Sequence, residues 1–140
     1  MEIKYISSNN DLRSIYPLLR ELRTELTEEN FLRFYHEAHN HDEFTIVAML
    51  ENGSAVGLMG YRVLYDFVHG KHLYIDDLVV ANTARSRGIG AKLLKFAEKK
   101  AQEFGCARLR LCTGVTNESA KRFYEREDWK LRSVVYKKNS

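Results

Sequence analysis

The sequence predicts a mixed α/β fold in which a central, mostly antiparallel sheet contains one parallel pair and is flanked by about four helices. Three extended apolar runs separated by short turns lie between residues 44 and 80, which is typical of an antiparallel meander. An amphipathic helical pattern separates the last run from another at residues 108–113, so these two strands should lie parallel, joined by a right-handed crossover. Helical patterns with capping residues precede residue 44 and follow residue 113.

Length and composition set the class of protein. A chain of 140 residues, 44% hydrophobic and 29% charged, is enough for one ordinary globular domain over residues 1–140. The net charge of +3 would help to attract an anionic ligand but does not indicate nucleic acid. No apolar run approaches the ~18 residues of a membrane span.

Two cysteines, Cys106 and Cys112, are too few for a zinc site and have no second pair of metal ligands nearby. On its predicted strand, Cys112 is interpreted as a small core side chain and not as a nucleophile. With no recognisable signal peptide, this cysteine usage leads us to expect a reducing cytoplasm.

The amino-terminal part of the chain predicts one strand and one long helix. Residues 2–6 alternate polar and apolar side chains, as a half-buried strand does. A polar break follows at residues 7–10, where Asn9 or Asn10 can cap a helix. Pro17 should kink that helix or mark a shift in its start. The apolar stripe of this helix consists of Leu12, Ile15, Tyr16, Leu18, Leu19, Leu22 and Leu26.

A second, shorter helix should begin after Thr27, whose hydroxyl can cap it and which is followed by two acidic residues. The helix ends in the polar run at residues 39–42. His36, His39 and His41 suggest a metal site, but their spacing is loose and they lie at a helix end. We therefore expect a solvated surface here, and no metal is predicted.

Extended runs separated by two turn signals predict a three-stranded meander. Asn52-Gly53 is a strong short-range hairpin signal, and His69-Gly70 forms the next turn. Gly57 and Gly60 lie inside the middle run, where glycine allows a bulge or the close approach of another group. The three strands are expected at residues 44–50, 55–67 and 71–80.

The carboxyl-terminal half predicts two more helices, each followed by a strand. The first helix stops at Gly105, and its stripe consists of Leu93, Leu94, Ala97, Ala101 and Phe104. The second is capped by Thr116 or Asn117, and its inner side carries Ala120, Phe123 and Tyr124. Two short terminal strands are expected at residues 129–131 and 134–137.

A basic loop, Arg85-Ser86-Arg87-Gly88-Ile89-Gly90, lies between the third meander strand and the next helix. A glycine-containing turn at a helix N-terminus can hold phosphate, because exposed backbone N–H groups and the helix dipole both favour negative charge. The two arginines add charge and forked hydrogen bonds. The loop lacks the full pattern of a dinucleotide-binding fold and of a P-loop. Alone it is equally compatible with a plain surface turn.

The strand before the loop carries Asp76 and Asp77. Successive strand residues point to opposite faces, so one carboxylate should face a groove or the interior while its neighbour faces away. A carboxylate in a partly desolvated cleft can have a raised pKa and act as a base toward an ammonium group, or simply bind that group. Two solvated acids at a sheet edge would give the same pattern.

Tyr124 lies late in the predicted helix that follows Asn117. A phenol can donate a proton to a leaving thiolate, and its ordinary pKa near ~10 suits that role. The alternative is a core tyrosine whose hydroxyl reaches the surface.

Together these motifs resemble the GNAT superfamily of acyl-CoA-dependent N-acyltransferases. The resemblance rests on the strand Ile-Asp-Asp-Leu-Val-Val, the Arg-x-x-Gly-x-Gly loop with its helix, the following strand, and Asn-x-x-Ala-x-x-Phe-Tyr-x-x-x-x-Trp. Their order and spacing cover residues 73–131, and the flanking elements fit the family's other strands and helices, including a splayed parallel pair. Within the superfamily the chain is most similar to small bacterial enzymes that acetylate small amines, including the aminoalkylphosphonate acetyltransferases.

The resemblance implies a role for each motif. The strand end would pair with the pantetheine arm, with a backbone N–H near Val80 polarising the thioester carbonyl, and the loop would hold the pyrophosphate. Asn117 would bond the pantetheine or a nearby water, and Tyr124 would be the general acid toward the coenzyme A thiolate. Asp76 is the first choice for the general base, Asp77 the second, and an activated water the third. The implied cofactor-binding residues are Leu78, Val79, Val80, Arg85, Ser86, Arg87, Gly88, Ile89, Gly90, Ala91, Lys92 and Asn117.

The predicted function is transfer of acetyl from acetyl-CoA to a primary amine of a small molecule, by direct attack in a ternary complex. The expected partners are acetyl-CoA and the amine, with a homodimer possible. Alternatives are a protein acetyltransferase acting on a lysine or an N-terminus, and a non-catalytic acyl-CoA-binding regulatory module. The acceptor side of the site could be lined by Arg62, Tyr65, His69 and His72. Ordinary surface positions would explain these four residues equally well.

Overall fold

The structure is a computed structural model that describes residues 1–140. None of its helices is long and apolar enough to cross a membrane. The elements in chain order are β1 (Glu2–Ile6), α1 (Asn9–Leu22), α2 (Glu28–Asp42), β2 (Thr45–Glu51), β3 (Ser54–Asp66), β4 (Gly70–Val80), a short 3-10 turn (Asn82–Ala84), α3 (Ile89–Glu103), β5 (Arg108–Leu111) and α4 (Glu118–Arg126).

The five strands form one sheet in the order β1-β2-β3-β4-β5. The pairs from β1 to β4 are antiparallel, and the sheet contains one parallel pair. At the β2–β3 turn, Asn52 and Gly53 both have positive φ. A type I′ turn, which is common in tight hairpins, requires positive φ at both central residues. The predicted mixed sheet with a meander and a crossover is therefore confirmed.

The two amino-terminal helices begin at hydroxyl caps. The Ser8 side chain accepts from the Asp11 N–H and caps α1, so the prediction of Asn9 or Asn10 as the cap was wrong by one residue. The helix includes Pro17 without a change of start. Thr27 caps α2 as predicted and accepts from the Asn30 N–H. In each case a serine or threonine oxygen satisfies an otherwise unpaired amide of the first turn.

The core lies where α1 and α3 pack on the sheet. Gly57 of β3 permits this approach, because a Cβ there would come within 2.7 Å of Ile89 Cγ2 at the start of α3. Phe104 was predicted to belong to the α3 stripe, but it caps the helix end and is largely exposed. The largest fully buried apolar side chains are Leu12, Ile15, Val47, Met59, Leu73, Ile89 and Leu93.

Residues from Leu111 onward form a second compact unit. Its helix α4 is capped by Asn117, whose side-chain oxygen accepts from the Ala120 N–H. Strand β5 ends at Leu111, so Cys112 lies beyond it and is exposed, which overturns its interpretation as a core residue.

The two terminal strands predicted at residues 129–131 and 134–137 do not form. Alternating apolar residues become a strand only when a neighbouring strand pairs with their backbone. No ladder includes this segment, and its apolar side chains are exposed, namely Leu131, Val134, Val135 and Tyr136.

Candidate active site

A bulge in the β3–β4 ladder places two neighbouring carboxylates on one side of the sheet. Gly60 is opposite Asp77 and Tyr61 is opposite Ile75, which leaves Asp76 without a partner in the register. An extra residue of this kind interrupts the alternation of faces along a strand. As a result Asp76 and Asp77 both line the same cavity. The prediction that one of them faces away was wrong, because the alternation rule assumes an unbroken ladder.

Each carboxylate is paired with an arginine. Arg62, also on the cavity wall, donates from Nε to Asp76 Oδ2 at 3.0 Å and from Nη2 to Oδ1 at 2.8 Å, a bidentate arrangement. Its Nη1 donates to Asp42 Oδ2 at 3.1 Å. Arg23 donates from Nε to Asp77 Oδ1 at 2.8 Å and from Nη2 to the Asp76 carbonyl at 2.9 Å.

The proton affinity of Asp76 is set by its surroundings. Burial raises the pKa of Asp76 above its ordinary value, and this effect exceeds the opposing influence of the Arg62 guanidinium. The negative charge of Asp77 raises the pKa of Asp76 further. A half-buried carboxylate with raised proton affinity is the kind of group that accepts a proton from an incoming ammonium.

The cavity has a volume of about 690 Å³ and is bounded by α1, α2 and the sheet. Phe44 forms the wall next to the acids: a Cβ at Gly60 would lie 2.5 Å from Phe44 Cζ and 3.2 Å from Asp77 Oδ2. Only glycine at position 60 leaves room for the ring and the carboxylate together. The volume suits a small molecule.

The backbone of the predicted phosphate-holding loop bends at two left-handed residues before α3. Ser86 and Gly88 both have positive φ, and no side chain caps the N-terminus of α3, so the amides of its first turn point outward without a side-chain partner. Arg85 is exposed, whereas Arg87 pairs with Glu51 of β2. Ile89 is buried, so only its backbone can serve a ligand.

The second unit holds the remaining predicted residues. Tyr124 is half-buried near the end of α4, with the Phe123 and Trp129 rings at 5.2 and 6.1 Å between ring centroids. Burial raises the pKa of Tyr124 to about 12, so its phenol stays protonated at neutral pH. Asn117 uses Oδ1 for the helix cap, and its Nδ2 group is the part that can donate to a ligand.

Of the four residues weighed for the acceptor side, only Arg62 lines the cavity. Tyr65 is exposed, and the two histidines lie at the β3–β4 turn. Arg23, Phe44 and the α1–α2 wall were missed. No local pattern could have revealed Arg23, because it meets Asp77 across 54 positions of the chain.

The β3–β4 turn gathers Asp66, His69 and His72 into one cluster, which sequence spacing did not single out. Their ligand atoms lie within 4.8 Å of one another, a separation compatible with holding a metal ion. Arg110 Nε donates to the buried His72 Nε2 at 2.9 Å, and His72 Nδ1 contacts the Gly70 carbonyl at 2.9 Å. The Arg110 guanidinium is therefore a positively charged group beside the cluster of Asp66, His69 and His72.

The histidines of α2 have separate partners. His36 Nε2 contacts Asn9 Oδ1 at 2.8 Å, His39 Nδ1 contacts the Phe44 carbonyl at 3.0 Å, and His41 lies 3.7 Å from Glu37. They do not converge on a common point.

Comparison with known proteins adds independent information. The model of the "Acetyltransferase (GNAT) family" matches residues 10–128. The chain is 30% identical over 139 residues to the "Uncharacterized N-acetyltransferase YhdJ" of Bacillus subtilis, covering 99% of this chain and 98% of the relative.

Solved structures share the fold at lower identity. A structure titled as a transcriptional regulator from Bacillus halodurans C-125 superposes with a TM-score of 0.86 at 21% identity, covering 99% of both chains. The aminoglycoside acetyltransferase AAC(6')-Iy, in complex with the bisubstrate analogue CoA-S-monomethyl-acetylneamine, gives a TM-score of 0.84 at 17% identity, covering 99% of this chain and 98% of the other.

Proposed function

Because the chain belongs to the GNAT acetyltransferase family, we propose that it transfers acetyl from acetyl-CoA to a primary amine of a small molecule by direct attack in a ternary complex. The observation that carries the proposal is the bulge in β4, which brings Asp76 and Asp77 to one cavity. The same strand leads to the basic loop at residues 85–90. Acetylation of an amine requires a group that accepts a proton from the ammonium, and the two carboxylates supply one. An acyl-CoA donor requires a site for its pyrophosphate, which is the role proposed for the loop.

Asp76 is our first choice for the general base. The incoming amine is an ammonium near neutral pH and must lose a proton before its nitrogen can attack the thioester carbonyl. Asp76 accepts that proton directly or through a water, while Arg62 keeps the carboxylate oriented. Asp77, on the same cavity wall, is the second choice, and an activated water is the third.

The co-substrate would be held by the residues of the family motifs. Backbone groups of Leu78, Val79 and Val80 would pair with the pantetheine arm. The uncapped amides at the start of α3 support a pyrophosphate there, with exposed Arg85 adding charge. The full loop set is Arg85, Ser86, Arg87, Gly88, Ile89, Gly90, Ala91 and Lys92. When the co-substrate binds, Arg87 would leave its ion pair with Glu51 and donate to phosphate oxygens instead.

In the transfer step a bond forms between the amine nitrogen and the acetyl carbon, and the carbon–sulfur bond breaks. The electron pair of the carbon–sulfur bond stays on the leaving sulfur, and this thiolate accepts a proton from the Tyr124 hydroxyl, in the role the motif assigns. The proton that the nitrogen loses on becoming an amide passes through solvent and restores the phenol. A phenol that burial keeps protonated supports that role. Asn117 would donate from Nδ2 to the pantetheine. We place the reaction in the cytoplasm, supported by the absence of disulfides at either cysteine.

The test is release of free thiol from acetyl-CoA against a panel of small amines and lysine-containing peptides. We expect small amines to be acetylated, and Tyr124→Phe to lower kcat by roughly 10²-fold or more with little change in acetyl-CoA affinity. Equal loss of binding and turnover would remove Tyr124 from the acid role. Acetylation of peptides alone would indicate a protein acetyltransferase, and coenzyme A binding without any acetylation would indicate a regulatory module.

A further inference from the structure

The acceptor cavity is lined mainly by apolar side chains, which bears on the kind of amine it takes. Twelve of its twenty lining residues are apolar or aromatic, so a bound molecule would meet hydrocarbon over most of its surface. Leu19 and Leu22 come from α1, and Phe31 and Phe34 come from α2. We infer, on the basis of the proposed acetyl transfer, that the acceptor is a primary amine with an apolar, aromatic-sized body and no carboxylate or phosphate group.

Apart from the buried Tyr35, whose hydroxyl donates to the Ile6 carbonyl, polar side chains on the cavity wall are confined to two places. The acids and arginines stand on β4, β3 and the end of α1, and Thr24, Glu25 and Asn30 lie on the α1–α2 connection and the start of α2. Thr24 and Glu25 are exposed, so they border the opening. A sugar or polyamine would place hydroxyls or further ammonium groups against the apolar wall between these places, where nothing can hydrogen-bond to them.

The arginines explain why an acidic substituent is excluded. Arg62 already donates to both oxygens of Asp76 and to Asp42, and Arg23 donates to Asp77 and to a backbone carbonyl. A carboxylate or phosphate on the substrate would lie beside Asp76 and Asp77. The lining side chains of Glu25, Asp76 and Asp77 outnumber the two arginines, so the charge of the wall favours a cation and disfavours an anion.

Phe44 fixes where the apolar body must begin. Its ring and Asp77 Oδ2 both approach the same point above Gly60, at 2.5 Å and 3.2 Å from a Cβ built there. An ammonium bound by the acids therefore has its own carbon chain directly against an aromatic wall. Phe34 continues this wall outward and is about half exposed, at 51%, which leaves apolar surface for a ligand to cover.

The experiment compares matched amines. We expect kcat/KM for 2-phenylethylamine to exceed that for ethanolamine by at least about 10²-fold, because burial of a phenyl group is worth about that factor in a hydrophobic pocket. Phenylalanine, which adds only a carboxylate, and glucosamine 6-phosphate should both be poor acceptors. Equal or better turnover of ethanolamine, phenylalanine or the amino sugar would overturn the inference.

A pair of variants ties the preference to this wall. Phe34→Ser should lower the preference for 2-phenylethylamine over ethanolamine by about tenfold, mainly through KM. Phe67→Ser, at a fully exposed phenylalanine of the β3–β4 turn that does not line the cavity, should leave it unchanged. An equal effect of both substitutions would contradict the assignment.

Calorimetric titration with 2-phenylethylamine and with ethanolamine separates this inference from the proposed reaction. Tighter binding of 2-phenylethylamine that Phe34→Ser weakens supports the cavity assignment even if no amine releases thiol, an outcome that would sink only the acetyl transfer. Absence of a binding preference overturns the inference whether or not some amine is acetylated.

Discussion

Two carboxylates of the β3–β4 hairpin, Asp66 and Asp76, lie beside basic side chains, and their pKa values move in opposite directions. In the cavity, Asp76 is half-buried, and desolvation raises its pKa despite the bidentate Arg62. At the turn, Asp66 accepts from the His69 side chain and from the Val68 and His69 amides, and the two bonds from His69 lower the pKa of Asp66 to about 2. A cationic neighbour alone does not determine proton affinity; the extent of solvation decides which effect is larger.

The difference assigns separate tasks to the two ends of one hairpin. Asp66 stays ionised throughout the physiological range and holds a turn together, as a structural anion does. Asp76 has a raised pKa and so holds a proton more readily than an ordinary aspartate, which is useful for moving a proton.

The largest expected effect distinguishes the two carboxylates by turnover. Asp76→Asn should lower kcat by roughly 10²- to 10⁴-fold, since an amide cannot accept the proton of the ammonium. Asp66→Asn, the same chemical change at the turn, should leave turnover within about twofold. Steady-state thiol release measures both. Asp77→Asn serves as the second arm: a larger loss there than at Asp76 would transfer the role of base to Asp77.

Removal of Arg62, the partner of Asp76, should have an effect of intermediate size on stability and on the pH dependence of turnover. Arg62→Gln takes two charge-assisted hydrogen bonds from Asp76, so the free energy of unfolding should fall by about 2 kcal/mol. The pKa of Asp76 should rise further, which moves the acidic limb of the kcat/KM profile to higher pH. The measurements are urea unfolding and a pH–rate profile. His69→Gln at the exposed turn is the control, with a smaller loss of stability; a shifted pH–rate limb in this variant would contradict the separation of tasks.

The smallest effect concerns stability against pH. Because the pKa of Asp66 is lowered on folding, its contribution is present above the ordinary aspartate value of ~4 and is lost as pH falls toward about 2. Because the pKa of Asp76 is raised, its contribution has the opposite sign: it is present below ~4 and is lost as pH rises through the higher folded value.

Urea midpoints measured from pH 2 to 7 test these signs. Asp66→Asn should flatten the loss of stability between pH 4 and 2, and Asp76→Asn should flatten the decline above pH 4. Identical curves for the two variants would show that the carboxylates share one environment.

Much of the fold followed from periodicity and turn chemistry. The order of the first five strands, the hairpin at Asn52-Gly53 and the cap at Thr27 depend on local interactions that a short stretch of sequence contains. The terminal strands failed because a strand needs a partner whose backbone is placed by the whole sheet, and the apolar pattern of residues 129–137 says nothing about that partner.

For the candidate site, the sequence identified the right acids with the wrong geometry. Asp76 and Asp77 were expected on opposite faces, yet a one-residue irregularity opposite Gly60 and Tyr61 turns both to the cavity. Glycine in the middle strand indicated a bulge or a close approach, and both occur at Gly60, but no local rule gives the position of the extra residue on the partner strand. Arg23 reaches the acids only through tertiary packing.

The bulge at Asp76 makes the length of the chain, and not only the identity of its residues, a condition for function. Deletion of a single codon in β4 would restore continuous pairing with β3 and exchange the faces of all residues on one side of the deletion. Point changes around the cavity can accumulate one at a time and retune the acceptor, whereas a frame-preserving insertion or deletion between Ile75 and Val80 of β4 abolishes the site in one step. Descendants of this gene should therefore diverge freely in the wall of the cavity while the length of this part of β4 stays constant.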